Sequence, residues 1–185
     1  MYRKVNEEAK AKMEKARDFY QQDMLSLRAG RANPQILDKI VVDYYGSPTP
    51  LKQMGNINAP EPRMLVISLW DVKAIPLVEK AIQKSDLGLN PSNDGKVIRL
   101  AVPELNAERR KELSKVVKKS AEDAKVAVRN TRRDAMEQIK KLKKDSVITE
   151  DDQRKAEEEL QKVTDQKIKE IDKIAVEKEK EIMSV

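Results

Sequence analysis

Three stretches of this chain, residues 2–29, 106–144 and 150–182, set apolar side chains three and four positions apart, the period of one stripe on an α-helix. A helix with a single apolar stripe must bury it, and three such helices in one chain most economically form a three-helix bundle. The first stripe is Val5, Ala9, Met13, Ala16, Tyr20, Met24 and Leu27. Gly30 follows it as the left-handed residue that commonly stops a helix, which gives a length of roughly 42 Å. The second is Leu113, Val117, Ala121, Ala124, Val128, Thr131, Ala135, Ile139 and Leu142. Asn106 is its expected N-cap and Lys144 its approximate end, roughly 58 Å away. The third carries Ala156, Leu160, Val163, Ile168, Ile171, Ala175 and Ile182, with Lys167 and Lys178 as interruptions. Thr149 with Asp152 forms a variant capping box at its start.

Residues 31–104 have another texture, rich in proline and glycine. "KIVVDYYG" alternates, with Ile40, Val42 and Tyr44 on one face, and reads as a strand. "SPTP" reads as a turn or an extended loop, and "RMLVISLWD" and "KVIRLAV" as strands. Between the last two, "AIPLVEKAIQKSDLG" is a short helix closed by Gly88, with Pro76 in its first turn. The fold class predicted is α+β. A bundle of residues 1–30 and 105–185 holds an inserted β/α/β domain of residues 31–104. The chain then crosses between the bodies twice, and the crossings near 30–31 and 103–105 form a hinge of Gly30, Arg31, Pro103, Glu104 and Leu105.

Composition excludes much chemistry. The 185 residues contain no cysteine and no histidine, so there is no disulfide, no thiolate metal site and no imidazole base. No GxxxxGK[ST] or GxGxxG motif marks a nucleotide site. The chain is therefore expected not to be an enzyme and to hold no cofactor or metal. No apolar run approaches the roughly 20 residues that span a bilayer. "MYRKVNEEAKAKMEK" is charged from its third residue, unlike a signal peptide. A soluble, cytoplasmic protein with no membrane partner is expected.

The net charge of +6 is uneven: residues 105–149 hold 14 Lys/Arg against seven Asp/Glu, whereas residues 150–185 hold eight against 12. Such asymmetry points to a polyanionic partner. Lys125, Arg129, Arg132 and Arg133 recur at helical spacing beside the second stripe and are expected to form a solvent-facing ridge suited to phosphates. The alternative is a solvated face paired with the acidic third helix. Arg28 and Arg31 flank Gly30. Arg28 would also suit the last turn of a helix through the dipole, a reasoning that weakens for Arg31, beyond it. Tyr44, Tyr45 and Trp70 could stack on bases, but packing in a small core poor in aromatics is the favoured reading.

The stretches "LRAGRANPQILDKIVVDYYGSPTPLKQ", "VEKAIQKSDLGLNP", "ERRKEL" and "KVAVRNTRRDA" resemble the ribosome recycling factor family, in the same order and spacing along essentially the whole chain. The resemblance implies a long three-helix bundle joined by a flexible elbow to a small β/α/β domain, L-shaped like transfer RNA. It implies binding to the post-termination ribosome, against ribosomal RNA, across the A and P sites of the large subunit. With elongation factor G and GTP, members split the ribosome into its two parts, releasing messenger and deacylated transfer RNA, and initiation factor 3 acts downstream. The rRNA-binding arginines of the family map onto Arg28, Arg31, Arg129, Arg132 and Arg133. A monomer is expected. The rival readings are a coiled-coil adaptor or holdase chaperone, and a general nucleic-acid binder.

Overall fold

The computed structural model describes residues 1–184. In chain order its elements are α1 (Tyr2–Leu25), β1 (Val41–Tyr44), β2 (Ser47–Pro50), the single turn α2 (Leu51–Met54), β3 (Gly55–Glu61), β4 (Met64–Leu69), α3 (Ile75–Lys84), β5 (Pro91–Asn93), β6 (Ile98–Ala101), α4 (Ala107–Lys144) and α5 (Glu150–Met183). The architecture is α+β. The chain divides into two compact units, Met1–Met24 with Lys111–Ser184 and Leu25–Arg110. The β-containing unit thus begins before residue 31 and ends after residue 104, so it takes in both stretches expected to form the hinge and the first residues of α4.

In the helical unit α1 and α5 run parallel and α4 runs against both. Asn6 donates to the Ala156 carbonyl at 3.1 Å and Arg17 pairs with Glu170 at 3.1 Å, so numbers rise together along α1 and α5. Along α4 and α5 they oppose: Ser114 meets Glu179 and Lys125 meets Asp172. The core between them is a narrow seam that includes Met13, Val117, Val128, Ile139 and Ile171, all without exposed surface. Tyr20 is buried too, and its hydroxyl donates to the Val117 carbonyl at 3.2 Å. Burial first, and then Glu179, Asp172 and Asp23, push its pKa up to about 12.

α5 begins as expected. The Thr149 hydroxyl accepts from the Asp152 N–H, and the Asp152 carboxylate accepts from the Thr149 N–H. Its seam is different. Ala156, Leu160, Thr164, Lys167, Ile171, Lys178 and Ile182 are buried, whereas Val163, Ile168 and Ala175 are only half-buried. The two lysines are part of the seam because their methylene stems lie along it while the ammonium groups reach carboxylates at its rim. Lys167 lies 3.5 Å from Glu14 on α1 and 3.2 Å from Glu170, and Lys178 lies 3.2 Å from Glu181.

α1 ends at Leu25, five residues before Gly30, and is about 36 Å long. Gly30 does not cap it. The chain leaves the helix to bury Ser26 and Ala29 in the β-containing unit. Gly30 then turns with φ +84°, against the Leu105 side chain.

Within that unit β1 and β2 form a hairpin, pairing Tyr44 with Ser47 and Val42 with Thr49. Tyr45 and Gly46 both have positive φ, 50° and 81°, as a two-residue hairpin turn whose twist matches the strands requires. "SPTP" is therefore a strand; its two prolines are tolerated because the sheet has only two strands and β2 is an edge. The other sheet has the order β3-β4-β6-β5, antiparallel throughout. β3 and β5 lack an alternating apolar pattern and were not anticipated from sequence. α3 ends at Lys84 and not at Gly88, with the Ser85 N–H donating to the Ile82 carbonyl. One aliphatic cluster fills the unit, with Val42, Leu51, Leu65, Ile67, Val78, Ile82, Ile98 and Leu100 fully buried.

Candidate nucleic-acid interface

The four ridge residues of α4 do not share one environment. Arg133 is exposed and Arg129 half-exposed, and neither makes an ion pair among the described residues. Lys125 instead turns to α5. Its ammonium lies 2.8 Å from Glu122 and 2.9 Å from Asp172, and its side chain is only 14% exposed. Its hydrogen bonds to Glu122 and then Asp172 hold its pKa above the ordinary lysine value. Arg132 also reaches α5, donating from Nη1 to Gln161 Oε1 at 2.9 Å, while its Nε is buried without a partner. A single outward ridge is therefore corrected to two pairs: Arg129 and Arg133 outward, Lys125 and Arg132 on the flank against α5. The acidic, amide-rich face of α5 is the cause.

Arg28 is not in the last turn of α1, so the helix dipole does not explain it. Its guanidinium donates to the Leu87 carbonyl at 3.1 Å and to the Pro103 carbonyl at 3.0 Å. Burial, and then the neighbouring Arg109, lower its pKa. Arg28 thus joins the segment that enters the unit to the segment that leaves it. Both segments are also held to the β3–β4 turn. The Ala32 N–H donates to Pro62 O at 2.6 Å, the Val102 N–H donates to Arg63 O at 2.8 Å, and Arg63 pairs with Glu104. Leu105 is buried, Pro103 and Arg31 are exposed, and Asn106 Oδ1 accepts from the Arg109 N–H at 2.7 Å to cap α4.

Tyr44 packs against the aliphatic cluster as expected, but the other two aromatic residues depart from expectation. Trp70 is 75% exposed and Tyr45 72%, so neither fills a core. Their surroundings explain this: Tyr45 occupies the hairpin turn, and Trp70 lies at the end of β4, where its N–H donates to Met54 O and its ring points out. Tyr44 and Tyr45 meet edge to face at 4.6 Å, and the Tyr44 hydroxyl donates to Asp71 at 2.8 Å. Among the described residues no cluster of His, Cys, Asp or Glu could hold a metal ion, and no helix is long and apolar enough to cross a membrane.

Comparison with known proteins supplies the remaining constraint. A family model described as ribosome recycling factor matches residues 20–183. The ribosome-recycling factor of Caldicellulosiruptor bescii is 58% identical over 177 residues, covering 96% of each chain. That of Bacillus subtilis is 56% identical over 185 residues, the whole of both chains. A solution structure of a ribosome recycling factor matches with a TM-score of 0.80 at 45% identity, covering 100% of this chain and 98% of that one. A structure of the T. thermophilus ribosome recycling factor with E. coli elongation factor G, bound to the E. coli post-termination complex, matches with a TM-score of 0.69 at 42% identity over the whole of both chains.

Proposed function

The chain belongs to the ribosome recycling factor family, and from that premise we propose how it recycles ribosomes. It binds the post-termination ribosome across the A and P sites of the large subunit. With elongation factor G and GTP, it then splits the ribosome into its two parts. Messenger and deacylated transfer RNA leave, and initiation factor 3 acts downstream on the small subunit. The observation that carries this reading is similarity without gaps in coverage: relatives at 55–58% identity span essentially the whole chain, and one matching structure holds elongation factor G on a post-termination complex. The chain works as a cytoplasmic monomer and as a binding and lever protein, leaving nucleotide hydrolysis to its partner factor. It has neither histidine nor cysteine for a reaction of its own.

The rRNA contact falls to Arg129 and Arg133, which face outward, with Arg31 beside them in role, because exposed guanidinium groups fork onto phosphates. Lys125, Arg132 and Arg28 hold carboxylate, amide or carbonyl partners already and contribute by re-pairing or by positioning. The hinge consists of the non-helical stretches around Gly30–Arg31 and Pro103–Leu105. Arg28 bonded to Pro103 makes the two stretches move together.

The test is splitting of post-termination ribosomes by the purified chain with elongation factor G and GTP, followed by light scattering. Subunits should separate only when all three are present, and Arg129→Gln with Arg133→Gln should abolish splitting while the melting temperature stays within a degree or two. No splitting by the wild-type chain, together with suppression of aggregation of unrelated unfolded proteins, would favour the holdase reading instead.

A further inference from the structure

We propose that α4 carries a longer phosphate-binding rail than its central arginines, with Lys111, Lys115 and Lys119 at one end and Lys140 and Lys144 at the other. The inference rests on the ribosomal reading above and names the RNA feature it uses: the backbone of double-helical RNA, read without regard to sequence.

Turning at about 100° per residue, an α-helix places positions 111, 115, 119, 122, 126, 129, 133, 137, 140 and 144 within a sector about 80° wide. Of those ten residues seven are Lys or Arg, two are glutamates and one is Val126. The buried residues of the same helix, Leu113 to Ile139, fall in a sector centred about 150° away, so the basic sector faces solvent along its whole length. All of its lysines are exposed, and none makes an ion pair among the described residues. The two acidic residues do not neutralise it. Glu122 is taken up by Lys125 at 2.8 Å, and Glu137 stands at the sector's edge. Glu108, one turn before Lys111, marks the end of the rail.

This segregation is what distinguishes the sector from an ordinary solvated face, where alternating charges pair at i, i+4. On the flank of α4 toward α5, cations do find carboxylates: Lys118 with Glu179, Lys125 with Asp172 and Lys143 with Glu150. On the outer sector they do not, and mutual repulsion there is left to mobile counterions or to an external polyanion. The rail is about 50 Å long, which exceeds any small anion or phosphopeptide. It contains no aromatic residue, whereas proteins that follow single strands pair their cations with stacking platforms. A rigid row of cations without stacking side chains suits the regularly spaced phosphates of a duplex.

The experiment compares the full chain with a variant carrying Gln at positions 111, 115, 119, 140 and 144, and with one carrying Arg at the same positions. Affinity for purified large ribosomal subunits is measured from 0.05 to 0.3 M monovalent salt. Each lost phosphate contact reduces the slope of log affinity against log salt by about 0.7–0.9. The Gln variant should therefore show a slope shallower by about 2 or more, and at least tenfold weaker binding at low salt, with unchanged helical melting. The Arg variant should retain the wild-type slope. A Gln variant with the wild-type slope overturns the rail while leaving the ribosomal reading intact, and so does loss of the slope in the Arg variant. Failure of the wild-type chain to bind subunits removes the ribosomal reading, and the rail falls with it.

Discussion

The β-containing unit excludes water with one compact cluster of aliphatic side chains drawn from both sheets and α3, whereas the helical unit excludes it with a seam one or two side chains wide. The cluster has no charged member. The seam includes a threonine and two lysines. The first arrangement derives its stability from burying many methyl groups around each position. The second spreads small contributions along helices of 24, 38 and 34 residues. A perturbation should therefore be felt throughout the first unit and only locally in the second.

The strongest test of that contrast is Ile67→Ala in β4, which removes buried carbons from the centre of the cluster and should cost about 2–5 kcal/mol. Hydrogen exchange should show the loss across β1 to β6 and leave α5 protected. Equal loss of protection in both units would show that they unfold as one.

A smaller and opposite effect is expected for Lys167→Met. An unbranched apolar chain keeps the stem's packing and removes an ammonium that is costly to bury, so stability should be unchanged or raised by about 1 kcal/mol. A clear loss in chemical denaturation would mean that the contact with Glu14 supports the seam more than burial penalises it.

Next comes Thr149→Ala, which removes one half of the capping box and should cost about 1 kcal/mol. Exchange should quicken in the first turns of α5 and nowhere in the β-containing unit.

The mildest contrast is in pH. In the β-containing unit, backbone hydrogen bonds from Val97 and Lys96, then the Arg99 side chain, lower Asp94 from 3.8 to about 2. A depressed carboxylate contributes above its unfolded pKa and loses that contribution as pH falls through the folded value, so the unit should weaken between about pH 4 and 2. Tyr20 behaves in the reverse sense. Raised from 10.0 to about 12, it contributes below pH 10 and loses that contribution as pH rises toward 12. Asp94→Asn should flatten the acid limb alone and Tyr20→Phe the alkaline limb alone, as read by thermal melts across pH. Cross-effects would mean that the units are energetically coupled.

The same contrast separates what sequence reveals from what it hides. The helices were legible because period and capping chemistry are local: Asn106 and Thr149 cap where their side chains allow. The strands with strong alternation, β1, β4 and β6, were legible for the same reason. β2 was not, since prolines argue against a strand until its edge position is known. Lys167 and Lys178 were misread as interruptions because residue type does not show where a long stem lies. At the candidate interface the basic character of α4 was legible from composition. Which cations stay free was not, because that depends on the carboxylates and amides of α5 across the bundle. Arg28 was misplaced for a related reason: its partners, Leu87 and Pro103, are 59 and 75 residues away in sequence.

The lysines of the α5 seam also bear on how these helices find a single alignment. Stripes made only of alanine, valine and leucine look much the same after a slip of one turn, so several registers would be nearly degenerate. With Lys167 in the seam, a slip of α5 by one turn along α1 moves its ammonium about 5 Å from Glu14 and leaves it with Glu170 on its own helix. The charge thus raises the energy of the nearest competing registers, and the bundle gains uniqueness from a contact that an apolar stripe does not supply.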